Sequence, residues 1–114
     1  MAERKDFSHT DMEQWLAENR VTEIECLVPD LTGVARGKIL PREKFTAERA
    51  MRLPEAVLGV TVTGESPENH EGYDNVFGFT DKDMVLVPDP STVRLVPWAV
   101  DPTAQVIMDC FFHD

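Results

Sequence analysis

The chain has 114 residues, 42% of them hydrophobic and 28% charged, and a formal net charge of −10. This length and balance suit one globular domain that buries roughly two-thirds of the surface its unfolded form exposes, and they exclude wholesale disorder. A pI of about 4.6 excludes a protein that grips duplex DNA or RNA through a broad basic surface.

Residues 1–9 read as a flexible leader: Met1-Ala2-Glu3-Arg4-Lys5-Asp6 runs into polar residues, with no apolar stretch of the secretory kind. No apolar run approaches the ~20 residues of a membrane span, so a cytoplasmic location is expected. Thr10-Asp11-Met12-Glu13 fits a capping box with Thr10 as the cap. Met12, Trp15 and Leu16 follow at helical spacing, and Asn19 suits the stop.

From Val21 the period becomes two. Ile24, Cys26 and Val28 alternate with their neighbours as on a strand, and Pro29-Asp30-Leu31-Thr32-Gly33 has the residues of a turn. Val34, Arg36, Lys38 and Leu40 suggest a return strand with a charged face, which makes the pair a hairpin. Pro41 suits a first helical turn, and Phe45, Ala47, Ala50, Met51 and Leu53 are expected to form one side of a helix that Pro54 ends. Residues 56–64 are rich in strand formers and predict an inner strand.

Residues 65–80 predict a long polar loop holding Pro67, Gly72 and Gly78, a length at which loops are often functional. Glu65, Glu68, Glu71, Asp74, Asp81 and Asp83 gather the acidic excess there, opposed by Lys82. Further strands are expected over residues 84–88, 93–98 and 105–112, with Pro88 and Pro97 placing the first two at ladder ends or edges. Cys26 and Cys110 fall in apolar runs; two buried reduced thiols are expected, with pairing left open.

Catalytic constellations are missing. The chain has neither a GxxxxGKS/T phosphate loop nor a GxGxxG turn. His9, His70 and His113 are scattered, without metal-ligand spacing. His70 sits in the polar loop as a conceivable general base with no partner marked for it. The residues alone therefore give a small acidic α+β domain.

Several phrases taken in order resemble the amino-terminal region of the glutamine synthetase family. They are residues 28–38 (Val28 to Lys38, with Asp30-Leu31-Thr32-Gly33 and Arg36-Gly37-Lys38), Met51-Arg52-Leu53-Pro54-Glu55, residues 83–92, Pro97-Trp98 and Pro102-Thr103-Ala104-Gln105-Val106. Together they cover residues 10–114. The Arg52-Leu53-Pro54-Glu55 and Pro97-Trp98 phrases resemble the branch that makes γ-glutamylpolyamines.

The resemblance implies a β-grasp-like mixed sheet with one or two short helices on one face. It implies an ATP-dependent ligase that phosphorylates the glutamate side chain and lets ammonia or an amine displace phosphate, assisted by Mg2+ or Mn2+. ATP and the metal belong to a carboxy-terminal catalytic domain expected beyond Asp114, so no cofactor or metal site is expected in residues 10–114. The partners implied are the catalytic domains of the same and neighbouring subunits. One loop of the amino-terminal domain offers an acid to the incoming ammonium or amine. The loop here lacks the Asp-Gly-Ser-Ser of the ammonia-using enzymes, and Asp74 is its aspartate before Asp81, so Asp74 is the candidate, against the alternative of a solvated loop acid.

A second reading is a free-standing β-grasp-like interaction module without catalysis. Its familiar forms fit poorly: ubiquitin-like carriers end in Gly-Gly, and plant-type ferredoxins need four cysteines. The ligase reading further expects an exposed apolar strip near the chain end or the 65–80 loop, where a catalytic domain would dock.

Overall fold

The computed structural model describes residues 6–65 and 82–112. Helix α1 spans His9–Glu18. Its cap is Ser8, two residues before the expected Thr10: the Asp11 amide donates to Ser8 Oγ at 3.0 Å and the Ser8 amide donates to Asp11 Oδ2 at 3.0 Å. The reciprocal box thus uses aspartate where glutamate is usual. Met12 and Leu16, one turn apart, are buried, and Trp15 packs half-buried beside them. Asn19 ends the helix as expected, its Nδ2 donating to the Trp15 carbonyl at 2.8 Å.

Strands β1 (Glu23–Pro29) and β2 (Ala35–Pro41) form the expected hairpin, antiparallel with Cys26 opposite Lys38 and Leu27 opposite Gly37. Ile24, Cys26 and Val28 face the core. Helix α2 (Arg42–Glu48) follows, with Pro41 as its cap rather than inside its first turn. It is shorter than predicted. Arg49 adopts a left-handed φ of 53° and its amide donates to the Phe45 carbonyl, which ends the helix before Ala50. Met51 and Leu53, expected on the helix, instead alternate inward on β3 (Met51–Pro54). Glu13 holds the Arg49 guanidinium through two oxygens, at 2.8 and 3.2 Å, tying α2 to α1.

The predicted inner strand over 56–64 is absent. Glu55–Gly59 is a 3-10 turn, half-buried, and the place beside the next strand is already taken by β3. Strand β4 (Asp83–Pro88) is as expected, with Pro88 at its end. A 3-10 turn at Pro90–Thr92 leads to β5, which pairs only over Arg94–Leu95 rather than across 93–98. Strand β6 (Thr103–Phe112) completes the fold.

The six-stranded sheet runs β2-β1-β6-β4-β3, with β5 also on β6. Strand β6 lies parallel to β1 and antiparallel to β4 and β5, so the sheet is mixed and β6 is its spine. The two helices and the inward residues of every long strand share one core, in which Leu16, Ile24, Cys26, Met84, Leu86 and Val106 are fully buried. The α+β, β-grasp-like class expected from the sequence is the class observed. The sheet curls almost into a barrel: its end strands are bridged by Lys38 Nζ, which donates to the Arg52 carbonyl at 3.0 Å.

Candidate functional site at the base of the acidic segment

Asp74 and His70 lie outside the described residues. What the structure does describe is the frame that carries their segment: residues 61–65 lead into it and Lys82 leads out. The frame is built on the hairpin turn. Asp30 Oδ1 accepts from the Thr32 amide at 2.9 Å, the Thr32 hydroxyl at 2.7 Å and the Val34 amide at 3.0 Å. Its other oxygen accepts Arg36 Nε at 2.9 Å, and the carboxylate is wholly shielded from solvent.

A buried carboxylate needs such saturation, since burial without partners would drive it to protonate. The Thr32 hydroxyl foremost, then Arg36 and the two amides, hold the Asp30 carboxyl well below the usual carboxylate range against the opposing effect of burial. The sequence marks Asp30 only as a turn residue. The signal for more was Arg36, a cation six residues on, in the returning strand of the same hairpin.

Arg36 spends its remaining donors on the next segment. Its Nη2 donates to the Thr61 carbonyl at 2.8 Å and reaches the Val62 carbonyl at 3.4 Å. A small turn then closes, with the Gly64 amide donating to the Thr61 carbonyl at 2.8 Å and the Thr61 amide to the Glu65 carbonyl at 2.7 Å. On the exit side the Glu55 amide donates to the Lys82 carbonyl at 2.7 Å. The Leu31 amide donates to the Leu58 carbonyl at 2.9 Å, pinning the 3-10 turn to the hairpin. Asp30 and Arg36 thus hold residues 61–62, just before the acidic segment in sequence.

The sheet face away from the helices carries exposed apolar residues among polar ones such as Glu25, Gln105 and Asp109. By register Leu27 lies opposite Ile107, and Val85 opposite Phe111. Ile39, Ile107 and Phe111 are 63%, 42% and 55% exposed. This places exposed apolar side chains near the chain end, where a docking strip was expected. Phe112, 70% exposed, lies opposite Met84 and so on the other face of the same strand end.

The cysteines depart from expectation. Both are free, yet only Cys26 is buried, and burial pushes its thiol up to about 12. Cys110 is exposed because the outer half of β6 runs beyond the helices' cover. Among the described residues, no group of three or more His, Cys, Asp or Glu is placed to hold a metal ion. No helix among them is long and apolar enough to cross a membrane.

No family model matches the chain. Human lengsin is 34% identical over 100 residues, covering 86% of this chain and 19% of that protein. Rat lengsin is 30% identical over 102 residues, covering 88% of this chain and 18% of that protein. A glutamine synthetase of Archaeoglobus fulgidus is 30% identical over 92 residues, covering 76% of this chain and 16% of that enzyme. Among solved structures, that of the GmaS/ADP complex superposes with a TM-score of 0.65 at 20% identity, over 91% of this chain and 21% of that one. A second, GmaS without ligand, gives a TM-score of 0.58 at 18% identity, again over 91% of this chain. The chain is thus homologous to the glutamine synthetase family and spans 19% or less of the curated relatives named here.

Proposed function

We propose that this chain is the amino-terminal domain of a larger cytoplasmic ATP-dependent ligase that makes γ-glutamyl amides from glutamate and ammonia or an amine. The observation that carries the reading is the match to an archaeal glutamine synthetase over 76% of the chain. The ordered phrases around Asp30-Leu31-Thr32-Gly33 and Arg36-Gly37-Lys38 support it, and these residues build the frame just described. The Arg52-Leu53-Pro54-Glu55 and Pro97-Trp98 phrases favour a polyamine as the amine.

A carboxylate is a poor electrophile because hydroxide or oxide is a poor leaving group. Transfer of a phosphoryl group from ATP to a glutamate side-chain oxygen turns that oxygen into a good one. The amine nitrogen then bonds to the acyl carbon, the carbon–oxygen bond to phosphate breaks, and the nitrogen gives up a proton. Mg2+ or Mn2+ would neutralise charge on the phosphoryl group. By the family resemblance, that ion and ATP are assigned to a catalytic domain beyond Asp114.

Asp74 is assigned to the amine. A carboxylate there attracts the ammonium form and can accept its proton. In this reading the catalytic domain of a neighbouring subunit is the partner, and the exposed apolar residues Ile39, Ile107 and Phe111 offer a docking surface.

The test is phosphate release by the full-length gene product with glutamate, ATP, Mg2+ and, in turn, ammonia, putrescine and other amines. Turnover with one of these is expected from the whole protein and none from residues 1–114 alone. In the whole protein, Asp74→Asn should raise KM for the amine roughly tenfold or more and leave KM for ATP unchanged. Turnover by the 114-residue chain alone, or a coding frame that stops at Asp114, would overturn the reading and favour a free-standing interaction module.

A further inference from the structure

We propose that the cleft between β2 and β3 binds a small organic anion with an apolar body, independently of the ligase reading. These strands are the two ends of the sheet path, and among the described residues no strand joins them. Helix α2 flanks the gap, leaving a cleft of about 530 Å³. That volume lies in the range of small-molecule sites, roughly 300–1,000 Å³.

The lining has two chemistries. Leu40 and Met51, both buried, form its base together with Val85, while Lys38, Lys44 and Arg52 bring three cations to its walls. Glu48, one turn beyond Lys44 on α2, is the single carboxylate that lines it among the described residues. In a chain of net charge −10 this is a local reversal of sign.

Two of the three cations are also uncommitted among the described residues. Arg36 is bound to Asp30 and Arg49 to Glu13, whereas neither Lys44 nor Arg52 makes a side-chain hydrogen bond or ion pair among the described residues. Cations set against an apolar wall attract an anion more strongly than cations fully in water. Inorganic phosphate would leave the Leu40 and Met51 base wet, and a neutral apolar molecule would leave the cations unmatched. An inserted peptide strand would have to break the Lys38 bridge to the Arg52 carbonyl that crosses the gap. A compact anion with a hydrocarbon body satisfies both surfaces and keeps the bridge.

The experiment titrates the ¹⁵N-labelled chain with octanoate, and separately with 1-octanol and with inorganic phosphate. Octanoate should shift the amide resonances of Lys38, Lys44, Met51 and Arg52 saturably. The other two should bind at least about tenfold more weakly. The exposed pair K44Q/R52Q should weaken octanoate at least about tenfold while leaving the core resonances in place. The proposal is overturned if octanol binds as well as octanoate, if octanoate does not bind, if its shifts centre on Phe111, or if the double substitution changes nothing. The octanol comparison uses the unaltered chain, so the test stands whether or not the variant folds.

Discussion

The Arg36 guanidinium donates to the Asp30 carboxylate at 2.9 Å, six residues back across the hairpin turn, and that carboxylate has no access to solvent. The pair converts a surface turn into an anchor, because the same guanidinium holds the carbonyls of Thr61 and Val62. Since the folded state holds the Asp30 carboxyl below its ordinary value, Asp30 stabilises the fold fully above the unfolded value of about 3.9. That contribution is lost as pH falls through the lower, folded value. Asp30→Asn should therefore lower Tm by more than about 5 °C at pH 7, with the gap to wild type shrinking below about pH 4. A gap that stays constant from pH 7 to about pH 2.5 would refute the assignment.

Arg36→Lys keeps the charge but loses the fork that serves Asp30 and Thr61 at once. Amide exchange at Gly64 and Glu65, whose protection comes from the small turn at Thr61, should rise roughly tenfold. The Val106 amide in the sheet centre should not respond. Equal acceleration at both places would mean that Arg36 supports global stability rather than the segment's base.

Gly37 sits where β2 passes closest to β1. A Cβ there would overlap the Cys26 carbonyl oxygen, a backbone atom that cannot move without breaking the β1–β2 ladder. Gly37→Ala should cost about 3 kcal/mol or more, read from the urea midpoint. Gly33 has open space around it and a φ of 82°, so Gly33→Ala should cost only about 1 kcal/mol, from backbone strain.

The two possible helix caps can be told apart by substitution. Ser8→Ala removes the hydroxyl that the Asp11 amide uses and should cost about 1 kcal/mol. Thr10→Ala lies inside α1 and should change stability by less than about 0.5 kcal/mol. The reverse order would restore Thr10 as the cap.

Much of the fold was legible where a residue pattern has one structural meaning. The alternation of Ile24, Cys26 and Val28, the turn residues at Asp30 and Gly33, and the apolar run toward Phe112 all became the elements they predict. The failures share a cause: local pattern does not say which strand will find a partner. Residues 56–64 have strand-forming side chains, but β3 already takes the edge of β4 through Met51 and Leu86, and the start of the later segment coils into a 3-10 turn instead. Helix α2 stops at a left-handed arginine, a conformation usually announced by glycine, and the Glu13 carboxylate that holds Arg49 lies on another helix. At the candidate site, the residue types were visible, but the reach of Arg36 to Thr61 is a tertiary fact with no trace in spacing.

Strand β6 is the last of the strands to leave the ribosome, yet it is the one to which β1, β4 and β5 all bind. On the order of ten seconds of translation separates β1 from its parallel neighbour. Until β6 emerges, the β1–β2 hairpin, joined late by the β3–β4 pair, has a bare flank open to self-association or chaperone capture. A slowdown in translation before Thr103 would lengthen the time for which that flank stays bare.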